Sequence, residues 1–126
     1  MLEPATTEEP QDGFLQKVQA LCAKHAIVFI LDEMINGIRW HLKGAQHYYG
    51  ATPDLCTFGK AMANGYSVSC IAGRREIMEL GSIHNEGAER LFLLSTTHGG
   101  EMAGLGAFVE TASFIQRNRV VEHLWN

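Results

Sequence analysis

Three polar residues sit where chemistry could be done: Asp32, Lys60 and Thr97. Lys60 is the lone charge in "LCTFGKAMANGYS", the run that follows Asp54. A solvated lysine needs no such setting. An amine that attacks a carbonyl does, because it must be neutral for part of the time, and burial or nearby cations supply that. Gly59 before it and Ala63-Asn64-Gly65 after it let the backbone approach closely and turn sharply. Asp32 closes the apolar run from Ala26 to Leu31. A buried carboxylate there requires a cationic partner, and a protonated ring nitrogen would serve. Thr97 stands just before Gly99 and Gly100, which open a helix; a hydroxyl and backbone N–H groups there suit a phosphate.

The elements around these residues must bring them together. Phe14, Leu15, Val18, Leu21 and Cys22 recur at helical spacing, so residues 12–25 predict an amphipathic helix that Asp12 can cap. "IVFIL" (27–31) is short, branched and apolar on both faces, like a strand buried in a parallel sheet. Residues 45–49 predict a helical turn. "DLCTF" (54–58), "SVSCIAG" (67–73) and "LFLLS" (91–95) predict further strands, and "RREIMEL" (74–80) a short helix. Residues 101–117 predict a helix whose buried face is Met102, Leu105, Phe108, Val109, Ala112 and Ile115, with helix continuing toward the end. Alternating strands and helices make an α/β sheet. Ligands of such sheets sit at the carboxyl ends of strands, and Asp32, Lys60 and Thr97 all fall just past such ends.

Bulk properties exclude several classes. The chain has 126 residues, 46% apolar and 19% charged, with a net charge of −4. That is globular composition for one domain at most. No basic stripe calls for nucleic acid or an anionic membrane, and no apolar run is long enough to span a bilayer. The acidic "MLEPATTEEP" lacks a signal-peptide pattern. Cys22, Cys56 and Cys70 are odd in number and contain no C-x-x-C, which fits reduced thiols in the cytoplasm better than disulfides or zinc. His41 and His47 lack a ligand spacing, so no metal is expected. Trp40 and "HYY" (47–49) read as packing aromatics, and His98 as a surface histidine.

An amine for an aldehyde, a carboxylate for a ring nitrogen and a hydroxyl for a phosphate together match pyridoxal 5'-phosphate. The motifs carrying them, "VFILDEMINGIRW", "GATPDLCTFGKAMANGYSVSCIAGR" and "STTHGGEMAGLGA", resemble the class III aminotransferases of fold type I, nearest to the glutamate-1-semialdehyde aminomutase branch. The resemblance runs over essentially the whole chain. It implies a mainly parallel sheet flanked by helices, and amino-group transfer on a small amino or keto substrate. Lys60 would carry the cofactor as a Schiff base and shuttle a proton, and Asp32 would keep the pyridine nitrogen protonated. Met34 would lie against the ring face, where the family more often has valine. Thr97 would reach the phosphate of the neighbouring subunit's cofactor in a homodimer. Glu3, in "LEP", matches a Glu-Pro that lies near the substrate in some members. "GIR" for the usual "GFGR" or "GFR", Asn36 for threonine, and "HGGEM" after Thr97 are departures that bear on substrate choice. The resemblance also implies that residues 1–126 are the central part of the cofactor-binding large domain. The glycine-rich phosphate turn would lie upstream and the small domain downstream.

Two other readings compete. Lacking those parts, the chain would be an inactive fragment or an interaction module that folds poorly without a partner. A phospho-receiver domain would also combine Asp, Thr and Lys at strand ends. Receivers, however, need an acidic pair at the first strand end and place the Thr before the Lys, whereas Lys60 precedes Thr97 here.

Overall fold

Leu15, Val18 and Cys22 lie on one face of the first helix, α1 (Phe14–Lys24), and that face makes the core. A computed structural model describes residues 1–82, 84, 97 and 99–126. Leu15, Phe29, Leu31 and Ala51 are buried together, with Leu2, Val18, Cys22 and Tyr49 packed against them. Asp12 does not cap α1. Asp12 and Gly13 both take positive φ, Gly13 occupies the cap position, and Asp12 stands one residue too early. At the other end Ala26 adopts φ 52°. Its N–H donates to the Ala23 carbonyl and the Ile27 N–H to the Cys22 carbonyl, a closing pair that absorbs the last orphan acceptors.

The strands are shorter than the apolar runs. β1 is Ile30–Asp32, β2 is Leu55–Phe58 and β3 is Cys70–Gly73, in the order β1-β2-β3. β1 and β2 are parallel, with Asp32 opposite Thr57. Leu2 extends the sheet beyond β1 through a parallel bridge to Leu31. Phe29 leads into β1 as a buried residue, but Ile27 and Val28 are exposed and unpaired with a neighbouring strand.

The described sheet is mixed, because β3 runs antiparallel to β2. A parallel return needs a crossover of a dozen or more residues, commonly a helix. Residues 59–69 hold only a 3₁₀ turn, Lys60–Met62, and a bend at Asn64 and Gly65, both at positive φ. That short link sends the chain straight back along its neighbour.

Between β1 and β2 lie α2 (Gly37–Trp40) and α3 (Ala45–Tyr49). Trp40 packs against Tyr48, Tyr49 and Trp125, with ring centroids 4.6–5.5 Å away. After β3 come α4 (Arg75–Met78) and a 3₁₀ turn, Glu79–Gly81. The chain then closes with α5 (Met102–Arg117) and α6 (Val120–Leu124). The strand expected at 91–95 and the histidine at 98 lie outside the described residues.

The expected buried face of α5 is largely exposed here, with only Phe108 and Ile115 of its six residues half-buried. Met102 is 81% exposed, Val109 62% and Leu105 42%. Only Gly104 is fully covered, where a Cβ would meet the Val68 side chain at 2.8 Å. Helical spacing identifies an apolar face, but it does not say what covers it.

Candidate active site

β1 delivers Asp32 and β2 delivers Thr57 to the same level of the sheet, so the two side chains meet. Thr57 Oγ1 donates to Asp32 Oδ1 at 2.9 Å, and the Met34 N–H donates to the same oxygen at 3.0 Å. No described residue donates to Asp32 Oδ2. Directly after Asp32, the Glu33 N–H donates to the Thr57 carbonyl at 2.9 Å, which extends the β1–β2 register past the strand end.

Asp32, Met34, Thr57 and Thr97 line one broad cleft of about 1640 Å³, together with Ser67, Ser69 and Cys70. Three of the sequence-derived site residues therefore share a cavity. Lys60 and Glu3 are exposed and stand outside the lining residues; Met1 lines the cleft instead. Burial pushes the Cys70 thiol up, so it is not poised as a thiolate.

Lys60 follows Gly59 at the end of β2 and takes φ 47°, a left-handed conformation that costs a residue with a Cβ. Gly59 itself is extended, and its role is space. A Cβ there would lie 2.4 Å from Met34 Cε and 2.9 Å from its Sδ. The missing side chain lets the Met34 thioether rest on the backbone beside Lys60, which ties the residue after Asp32-Glu33 to the residue before the lysine.

Glu33 is the buried acid of the pair, 1% exposed. Its Oε1 accepts the Gln46 N–H at 3.1 Å and its Oε2 the Ala45 N–H, so it holds the first turn of α3. Gly44, at φ 87°, leaves room for that carboxylate, since a Cβ would sit 2.6 Å from Oε2. Burial pushes the Glu33 carboxyl up, and the backbone donors oppose the shift. Nearby, the buried Asn36 side chain donates to the Ala5 carbonyl and pins the N-terminal segment.

Sequence reasoning missed Thr57, Glu33 and the Gly59–Met34 contact. Thr57 lay inside a strand motif without a distinguishing neighbour. Its pairing opposite Asp32 needed the register. Glu33 was legible only as one of two adjacent acids.

Residues 4–125 match the family described as Aminotransferase class-III. A glutamate-1-semialdehyde 2,1-aminomutase 2 of Lachnoclostridium phytofermentans is 52% identical over 71 residues, covering 56% of this chain and 17% of that protein. A 3-aminobutyryl-CoA aminotransferase of Cloacimonas acidaminovorans is 36% identical over 118 residues, covering 94% of this chain and 27% of that protein. Among solved structures, a thermostable (S)-enantioselective ω-transaminase from Thermomicrobium roseum superposes with a TM-score of 0.81 at 27% identity, covering 96% of this chain and 28% of that one. The chain thus spans 17–28% of the length of these relatives. With this chain matched to the family almost from end to end and the fold shared, the chain belongs to the class-III aminotransferases.

Proposed function

We propose that the chain is the cofactor-holding part of an enzyme that moves an amino group with pyridoxal 5'-phosphate, as an aminotransferase or an aminomutase of the glutamate-1-semialdehyde kind. The observation that carries this is the end of the β1–β2 pair. Asp32 lines the cleft with one oxygen engaged by two donors and the other without a described donor. Lys60 lies just past Asp32's partner Thr57.

The donor set fits the cofactor. Asp32 would accept the N–H of the pyridine ring through Oδ2, and its charge would favour the protonated ring. Met34, half-buried in the cleft, would pack on a ring face. Thr97, with the backbone of Gly99 and Gly100, would donate to the phosphate of the cofactor held by the neighbouring subunit. Lys60 would hold the aldehyde carbon by condensation of its ε-amine, which releases one water, and afterwards move a proton to and from the substrate carbon through Nζ. Bound there, the cofactor supplies an electron sink for the pair left when that carbon loses its proton.

Residues 1–126 are then the central part of the large domain. Glu3 is a candidate substrate contact, and the substrate is a small amino or keto compound. A cytoplasmic homodimer that shares its sites between subunits belongs to the same reading. It rests on the family resemblance.

Titration with pyridoxal 5'-phosphate, followed by visible absorption, tests the proposal. Asp32→Ala should weaken binding about tenfold or more, the loss of a hydrogen bond between charged groups. Lys60→Ala should abolish the absorption that depends on the covalent link. Unaltered affinity and spectrum in both variants would sink it.

A further inference from the structure

We propose that Thr57 is a positioning residue: it holds the Asp32 carboxylate so that Oδ2, and not Oδ1, is offered to the ring nitrogen. The inference rests on the cofactor reading above. Asp32 and Thr57 are direct partners across the parallel β1–β2 pair. The Thr57 hydroxyl donates to Oδ1 at 2.9 Å and the Met34 N–H to the same oxygen at 3.0 Å. Two donors on one oxygen fix both side-chain torsions of the aspartate. They leave the second oxygen to the cleft that Asp32, Met34 and Thr57 all line.

Threonine suits this task. Its β-branch restricts χ1, so the hydroxyl is aimed by the strand and not by a flexible side chain. The backbone beneath it is fixed as well, because its carbonyl accepts the Glu33 N–H at 2.9 Å. The carboxylate is only half-buried, and a free aspartate there would sample several rotamers. Orienting it before the ligand arrives removes that entropy cost from binding. β2 then has two duties: its interior residue orients the acid, and its end presents the amine of Lys60.

The test compares wild type, Thr57→Val and Thr57→Ser. Each is titrated with pyridoxal 5'-phosphate and with its 1-deaza analogue, which carries a C–H in place of the ring nitrogen. If Thr57 acts through Asp32, Thr57→Val weakens binding of the natural cofactor about 5- to 10-fold, the scale of one ordinary hydrogen bond. The same variant leaves the analogue's affinity in place, and Thr57→Ser restores the natural cofactor. Equal weakening of both ligands would mean a merely structural role and would overturn the inference. A second readout needs no ligand. NMR three-bond couplings about Asp32 χ1 should report a single rotamer in wild type and Thr57→Ser, and averaging in Thr57→Val. Unchanged couplings in Thr57→Val would also overturn it. A wild-type chain that fails to distinguish the two ligands would refute the ring-nitrogen role of Asp32, and the inference with it. Couplings that still follow the hydroxyl would then place the fault in the cofactor reading and not in the Thr57 contact.

Discussion

At Asp32 the two carboxylate oxygens are in different circumstances: one takes two donors, and the other takes none from the described residues. The same economy of space governs Gly59. A methyl group there would strike the end of the Met34 side chain, which is flexible and can swing away. Gly59→Ala is therefore expected to displace Met34 from its place in the cleft and weaken pyridoxal 5'-phosphate about 3- to 10-fold. Thermal stability should change by less than about 1 kcal/mol, because the clash is relieved by a side chain and not by the backbone. The double variant Gly59→Ala with Met34→Ala should bind no more weakly than Met34→Ala alone, because both changes remove the same contact. A cofactor affinity unchanged in Gly59→Ala would contradict this use of the contact. Asp32 and Lys60 were legible in the sequence because each is a charge at the edge of an apolar run. Thr57 and Glu33 were not, since their roles depend on which residue lies opposite in the register and on where α3 begins.

Among the elements, Asp54 binds three segments at once. Its Oδ2 accepts the Phe29 N–H at 2.8 Å and its Oδ1 a hydrogen bond from Arg74 Nη1 at 2.9 Å. The Arg74 N–H in turn donates to the Asp54 carbonyl at 2.8 Å. The lead-in to β1, the start of β2 and the end of β3 are thereby joined. The Phe29 N–H, and after it the Arg74 guanidinium, hold the Asp54 carboxyl below its usual range. A lowered carboxyl stabilises the fold above its unfolded value, and that contribution is lost as pH falls through the folded one. Glu33 has the opposite sign. Raised by burial, it favours the fold when protonated and erodes stability as pH rises through and above the ordinary glutamate range. Asp54→Asn should cost about 1 kcal/mol near neutral pH, on the scale of one hydrogen bond, and should flatten the acid limb of a melting-temperature profile. An acid limb as steep as in wild type would show that Asp54 is not its source. Helical and strand periodicity located α1, α3, β1, β2, β3 and α5 within a few residues. It could not locate the cap of α1, which Asp12 misses by one residue, or the direction of β3, which the length and turns of residues 59–69 decide.

For the whole molecule, burial is uneven. The core around Leu15, Phe29 and Leu31 is closed, while Met102, Val109 and Phe114 on α5 are more than half exposed. Periodicity made α5 legible and its apolar face with it. The cover for that face was not legible, because packing partners are a property of the assembled chain and not of one helix. The same distinction applies to the site. Its residue types and order were readable; the structure places Asp32, Met34 and Thr97 along one cleft, whereas Lys60 stands outside that lining. Reductive trapping addresses the lysine directly. The chain is mixed with pyridoxal 5'-phosphate, reduced with borohydride, digested and mapped by mass spectrometry. If the β1–β2 end forms the cofactor site, the label is confined to Lys60. Label spread evenly over Lys17, Lys24, Lys43 and Lys60 would mean that this chain does not single out Lys60 for the cofactor, and the proposed site would fall.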